Sequence, residues 1–463
     1  MNNVAENLIN SIQVHNHFQV FCRQFHLDTA YRFLHTSPYH WRNLLLLLSG
    51  RIIHRFIQPL NNTERVTALV LDDTLLERSY SQKVEKLSYH HDHNTGQSVK
   101  SHAMVNLVWT DGGTHLPLCF SLAGSPRYYT DQIVSMREEH FHPASLSYRR
   151  QEESMMTKPA IAAILLEEAT KKGLHADYVL YDSWYANPSF IRLVLRKYHH
   201  HSICMLKRNK TYYEYNGHPY NLNSLYQLCI KNQSIAKAPR EQLQIEQDHD
   251  VHCIGSMVVR LRPASEETKE ANQQEAVSCQ EDQDWYADTD KAKQTEEAYI
   301  PVKIVFVENR KASSQREWLA LLSTDTNLTD EEIIRIYGKR WDIEVFHRSI
   351  KSILRVEKEF MLRDFDAIVA YVTLTCIRFC FLNWMGRNKQ DQRTCGELFY
   401  QFYDELRDIQ FVEALDRILQ IFITFLSKQL HYPLSELNTL FTLFLSTLPR
   451  CILDSLGVIK CVT

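Results

Sequence analysis

Glycine is scarce in this chain, at 12 of 463 residues, which excludes collagen-like and glycine-rich low-complexity organisation. Cysteine is present at 11 residues, yet no Cys-x2-Cys pair occurs, so the ligand spacing of a zinc ribbon or finger is missing. The odd count, with no secretory leader read at the start, points to reduced thiols in a cytoplasmic protein. Cys376 and Cys380, four apart in an apolar stretch, read as small buried hydrophobes. The apolar run Leu44 to Leu48 falls far short of the roughly 20 residues that span a bilayer. Nor is there an excess of basic charge to announce a nucleic-acid partner, the formal net charge being −3.

What is there is a hydrophobic share of 44% and a charged share of 23%, the balance of a soluble globular chain. The length predicts two to four structural units with a large core. The acid is unevenly placed. Residues 264 to 298 carry eleven acids against Lys269, Lys291 and Lys293, a balance of 3 − 11 = −8, so the rest of the chain is +5. Local patches decide a phosphate contact more than the total does. Between 335 and 355 six cations (Arg335, Lys339, Arg340, Arg348, Lys351, Arg355) face two acids, Asp342 and Glu344.

Residues 1–60 read as helices broken at Ser37-Pro38, with five arginines against Glu6 and Asp28; they suit either a DNA-contacting domain or a helical cap. From residue 66 the pattern turns to strands: 66–73, 103–110, a Gly-Gly-Thr-His turn, then 116–124. A helix over 158–172 closes at Gly173. A strand over 176–182, a helix opening at Pro188 and a strand over 202–208 come next. This is the order expected of an α/β fold with an RNase H-like mixed sheet and flanking helices. The alternation stops at 209. Short β runs at 257–262 and 301–308 flank the acidic stretch, and 318–325 is a further strand leading to a helix signal at Thr329. The expected division is a helical region 1–60, a first core segment 61–208, a β-rich insertion 209–325, a second core segment 326–385 and a helical region 386–463. The histidine clusters at 90–93 and 199–201 read as loop residues without a second ligand pair.

The most informative stretch is IYGKRWDIEVFHRSIK, residues 336–351. At about 100° per residue on one continuous helix, Tyr337, Arg340, Glu344 and Lys351 fall within roughly 60° of one another. Ile343, Phe346 and Ile350 fall on a separate, core-facing side. With residue types at about 5% usage, the spacing is expected by chance on the order of 0.003 times in such a chain. Alone, an exposed helix face with charge pairs would look similar.

The block Tyr-x2-Arg-x3-Glu-x6-Lys resembles the signature of DDE transposases of the insertion sequence 4 family. The resemblance covers about 66–385 and implies two upstream aspartates that, with Glu344, bind two Mg²⁺ ions, Mn²⁺ being able to substitute. Oxygen-rich sites suit such ions, and a two-ion site stabilises both the attacking and the leaving oxygen of a phosphoryl displacement. The first aspartate is sought at the end of VTALVLDD, where neighbouring side chains point to opposite faces. The resemblance picks Asp73, which Thr74 follows, and Asp72 is the alternative. The second is Asp182 in VLYDSWYANPSF, which a helix N-cap reading also fits. Asp92, Asp111 and Asp177 sit in expected loops with weaker claims. The catalytic and metal set is therefore Asp73, Asp182 and Glu344. Tyr337, Arg340 and Lys351 are expected on DNA phosphates, and Trp341 and Trp184 on unpaired bases.

The implied activity is cut-and-paste transposition: strand nicking, hairpin formation and resolution, and strand transfer. The implied partners are double-stranded DNA, namely the element's terminal inverted repeats and the target, bound by a homodimer associated with the nucleoid. The competing readings are an RNase H-like structure-specific endonuclease and a catalytically silent, transposase-derived DNA-binding protein.

Overall fold

Eleven strands form one sheet in the computed structural model. It describes residues 32–35, 39–60, 65–124 (without 82 and 93–94), 145–236 (without 210), 253–262, 299–309, 318–388 (without 358–361) and a few positions between 433 and 443. Residues 1–31, the acidic stretch 264–298 and nearly all of 389–463 lie outside the described residues. Met1–Asp391 form one compact unit and Gln392–Thr463 a second.

Strand β1 (Ala68–Glu77) is the hinge of the architecture. It pairs antiparallel with β3 (Gln97–Thr110), which pairs antiparallel with β4 (His115–Ala123). On its other side β1 runs parallel to β5 (Tyr178–Tyr181), and β5 parallel to β6 (His201–Met205). The order β4-β3-β1-β5-β6, three antiparallel strands and then two parallel ones, is an RNase H-like core. Ala68 to Leu71 and all ten residues of β3 from Ser101 onward are buried, as a sheet covered on both faces requires.

The strands after β6 do not form a separate layer. β11 (Trp318–Ser323), β10 (Ile300–Glu308), β9 (Cys253–Leu261) and the hairpin β7 (Tyr212–Tyr215) and β8 (His218–Asn221) extend the same sheet beyond β6. The hairpin turns at Asn216 and Gly217 with φ of 51° and 79°, the left-handed pair that an Asn-Gly turn supplies.

Helix α1 (Trp41–Ile52) precedes β1, α2 (Leu146–Glu153) and α3 (Lys158–Lys171) lie between β4 and β5, α4 (Pro188–Arg196) between β5 and β6, and α5 (Leu222–Ala236) comes after β8. After β11 come α6 (Asp330–Gly338), α7 (Trp341–Ser352) and the long α8 (Phe365–Asn388). α3 ends at Gly173, φ +72°, where Leu174 N–H closes back on the Ala169 carbonyl, a glycine C-cap. α4 is capped by the Asn187 side chain, which accepts from Phe190 N–H at 2.8 Å, so Asp182 is not its N-cap. α8 is long and apolar enough to cross a membrane, but its most apolar stretch is 89% buried within the fold; it is a core helix here, and Cys376 and Cys380 are buried in it.

Three sequence expectations need correction. β1 runs four residues past Asp73, because β3 continues to pair it as far as Glu77. His90, His91 and Asp92 lie in β2 (Ser88–Asp92), paired with the start of β3, rather than in a loop. The block 337–351 is not one continuous helix: α6 ends at Gly338 and α7 begins three residues later. Lys339 and Arg340 N–H close on carbonyls three residues back, at 3.0 and 2.9 Å, a tighter winding than the α-helix.

Candidate active site

Sheet register decides which acids meet. Asp72 pairs with Asn106 across β1 and β3, whereas Asp73 pairs with Val105, so the two aspartates face opposite sides of the sheet. Asn106 Nδ2 lies 3.0 Å from His347 Nε2, and Thr110, on the same face, donates to Asp342. Both partners belong to α7, so Asp72 faces α7. Ile343, Phe346 and Ile350 are fully buried, which docks that helix and sets Glu344 at the rim, its side chain 40% exposed.

Asp182 joins them through the parallel register. The last paired residues of β1 and β5 are Leu71 and Tyr181, and Asp72 and Asp182 each come next. Neighbours in register share a face, so Asp182 sits beside Asp72. Its Oδ1 accepts the backbone N–H of Trp184 at 2.9 Å, which fixes the turn after β5.

Arg340, at the start of α7, lies among these acids. Its Nη1 donates to Asp72 Oδ2 at 2.8 Å and reaches Glu344 Oε1 at 3.4 Å. Asp72 Oδ1 accepts the N–H of Asp73 at 2.8 Å. Burial, opposed by Arg340 and reinforced by Asp182, Asp73 and Glu344, pushes the Asp72 carboxyl up to about 8. Burial also raises Asp182, against the Trp184 N–H that favours its anion. Crowded acids with too little positive charge between them are the electrostatic condition for binding a cation.

The donor chemistry fits a hard divalent ion, three carboxylates on one face. Among the described residues, however, no three acidic, histidine or cysteine side chains close on a common point: the carboxylates stand around the Arg340 guanidinium. Asp73 is not among them. On the opposite face its Oδ2 accepts from Lys158 Nζ at 2.6 Å and its Oδ1 from the Tyr185 hydroxyl at 3.2 Å.

The remaining expected residues frame the site. Tyr337 lies in the last turn of α6 with its hydroxyl buried and without a hydrogen-bond partner, and burial raises that phenol far above its usual range. Lys351 pairs with Glu357 at 3.6 Å, and Glu357 accepts the Glu77 N–H at the far end of β1. Trp184 and Trp341 are 55% and 60% exposed rather than in the core, and the Lys207 ammonium sits 3.6 Å from the Trp184 ring centre, a cation–π contact. Lys207 is not singled out by any sequence motif; its place just after β6 is the available signal.

The weaker candidates hold the scaffold. Asp111, 1% exposed, caps the β3–β4 turn through Gly113 and Thr114 N–H and pairs with Arg65 and Arg387 at 3.3 Å. Asp177 accepts from the Thr67 N–H and hydroxyl, and Asp92 from the Thr95 hydroxyl.

A family model described as "Transposase DDE domain" matches residues 144–381, more than half of the chain and inclusive of Asp182 and Glu344. The chain belongs to the DDE transposase family. A second model, "DDE superfamily endonuclease", matches residues 22–222 and takes in both aspartates of β1. Such transposases generally use divalent metal ions. Among solved structures, the Drosophila P element transposase strand transfer complex aligns with 88% of this chain and 86% of its own at 10% identity and a TM-score of 0.21; the strand order β4-β3-β1-β5-β6 carries the fold assignment instead. No curated protein matches the chain.

Proposed function

We propose that this DDE transposase is of the insertion sequence 4 type and performs cut-and-paste transposition, with Asp72, Asp182 and Glu344 as its catalytic carboxylates. The observation that carries the reading is the shared face of these three acids, with Arg340 between two of them. It favours Asp72 over Asp73, whose carboxylate is engaged on the other side of β1. The Tyr-x2-Arg-x3-Glu-x6-Lys spacing of 337–351 supports the subfamily.

The three carboxylates would hold Mg²⁺, with Mn²⁺ able to substitute. Bound there, such ions supply a deprotonated oxygen nucleophile and stabilise the leaving oxygen. The chain's own residues do the rest. Arg340, which lies against Asp72 and Glu344, would grip a backbone phosphate by charge-assisted hydrogen bonds. Lys351 contributes a second cation farther along β1. The Tyr337 hydroxyl, buried and unpartnered, has a hydrogen bond to give. Trp341, and the face of Trp184 that Lys207 does not cover, are suited to bases unstacked when an end is nicked, folded into a hairpin and reopened.

The partners on this reading are the terminal inverted repeats and target DNA, held by a homodimer in the cytoplasm at the nucleoid. The regions 1–60 and 386–463 are assigned to end binding and dimerisation. The test is a joining assay: a duplex carrying the terminal repeat, a target plasmid and Mg²⁺. Joined product is expected. Cleavage without joining would point to a structure-specific endonuclease, and repeat binding without either to a silent DNA-binding descendant.

A further inference from the structure

The pairing of β1 with β5 stops at Leu71 and Tyr181, one residue short of Asp72 and Asp182. No ladder hydrogen bond between those strands therefore sets the spacing of the two acids. The next connection between the segments is made by side chains: the Tyr185 hydroxyl, three residues after Asp182, donates to Asp73 Oδ1 at 3.2 Å. Tyr185 is fully buried, and the Asp73 side chain is 15% exposed. Between Asp182 and Tyr185 the chain is held by the Trp184 N–H on the Asp182 carboxylate. At the other end the Asp73 N–H binds Asp72 Oδ1. Lys158 Nζ, 2.6 Å from Asp73 Oδ2, holds the second carboxylate oxygen by a charge-assisted hydrogen bond.

We propose that Asp73 is a positioning residue: with Tyr185 it forms a cross-link beneath the sheet that fixes the spacing of Asp72 and Asp182 on the opposite face. The proposal rests on the assignment of those two acids as metal ligands. Groups that orient ligands commonly matter about 10- to 100-fold in metal affinity, and two residues acting through one bond are non-additive.

The experiment is Mn²⁺ titration of the full-length, metal-free protein by calorimetry, with melting temperatures recorded for each variant. Tyr185→Phe is expected to weaken Mn²⁺ binding about tenfold or more. Asp73→Ala is expected to do the same, and the double variant to be no weaker than either single one. Asp73→Asn retains an oxygen that accepts from Tyr185 and stays within about threefold of wild type, less than the loss of one orienting contact. If Asp73→Ala fails to fold, Tyr185→Phe and Asp73→Asn decide the matter between them. Wild-type affinity in Tyr185→Phe would overturn the proposal, as would loss of binding in Asp73→Asn as complete as in Asp72→Asn. No Mn²⁺ uptake by wild type would instead overturn the ligand assignment on which it stands.

Discussion

Replacing Asp72 by asparagine should stabilise the metal-free protein while destroying its chemistry. In the folded chain the Asp72 carboxyl is pushed up to about 8, first by burial and then by Asp182, Asp73 and Glu344; in the unfolded chain it titrates near about 3.9. A group whose folded value is raised contributes stability that is fully present below the unfolded value and is lost as the pH rises through the folded one. At pH 7 the difference of about 3 pH units corresponds to roughly 4 kcal/mol. The value of about 8 already includes the opposing pull of Arg340, so asparagine, neutral like the protonated carboxyl, removes that cost and gives up only part of the Asp72 hydrogen bonding, a net gain of roughly 2–4 kcal/mol. Met1–Asp391 is one unit, and at roughly 2.1 cal/mol/K per residue its unfolding entropy is about 0.8 kcal/mol/K, so the melting temperature should rise by about 2–5 °C. Scanning calorimetry of both proteins in chelator from pH 4 to 9 is the assay. The variant's advantage should be small near pH 4, widen up to pH 8 and then level off. A variant that melts below wild type at pH 8 would mean that the buried Asp72 carboxylate does not destabilise the fold.

Arg340→Ala removes the cation that opposes the buried Asp72 carboxyl, so it should lower the melting temperature of the metal-free protein at pH 8; it should also weaken DNA binding and flatten the plot of log affinity against log salt by about 0.9, one phosphate's worth, and an unchanged slope would remove Arg340 from the backbone contacts. Thr329 and Glu332 form a reciprocal capping box at the start of α6, so Thr329→Ala should cost about 1 kcal/mol, read from the urea midpoint at constant slope. A larger loss with a changed slope would mean that the cap holds more than one helix.

Much of the core is legible in the sequence because buried strands announce themselves as apolar runs. The strands 103–110, 116–124, 176–182 and 202–208 lie where periodicity puts them, give or take a few residues. β1 looks four residues shorter than it is, since Asp72 to Leu75 are only half-buried where β5 no longer covers them. β2 escapes detection because His90, His91 and Asp92 read as polar loop, although an edge strand needs only one buried face. The Asn216-Gly217 hairpin carries a strong turn signal that the strand pattern around it does not draw out. The break at Gly338 is invisible to a wheel that assumes one uniform pitch. Choosing between Asp72 and Asp73 turns on register, which a single strand's sequence does not contain. Only the partners Asn106 and Tyr181 reveal which side each carboxylate takes.

The central claim is that Asp72, Asp182 and Glu344 act together on DNA. It is tested most directly by cleavage of a terminal-repeat duplex in Mg²⁺ by wild type and by Asp72→Asn, Asp182→Asn and Glu344→Gln, with duplex binding measured alongside. Each variant should bind DNA and lose cleavage by a factor on the order of a thousand or more, in line with removing one member of a catalytic unit. Cleavage at wild-type rate by any of the three would contradict it.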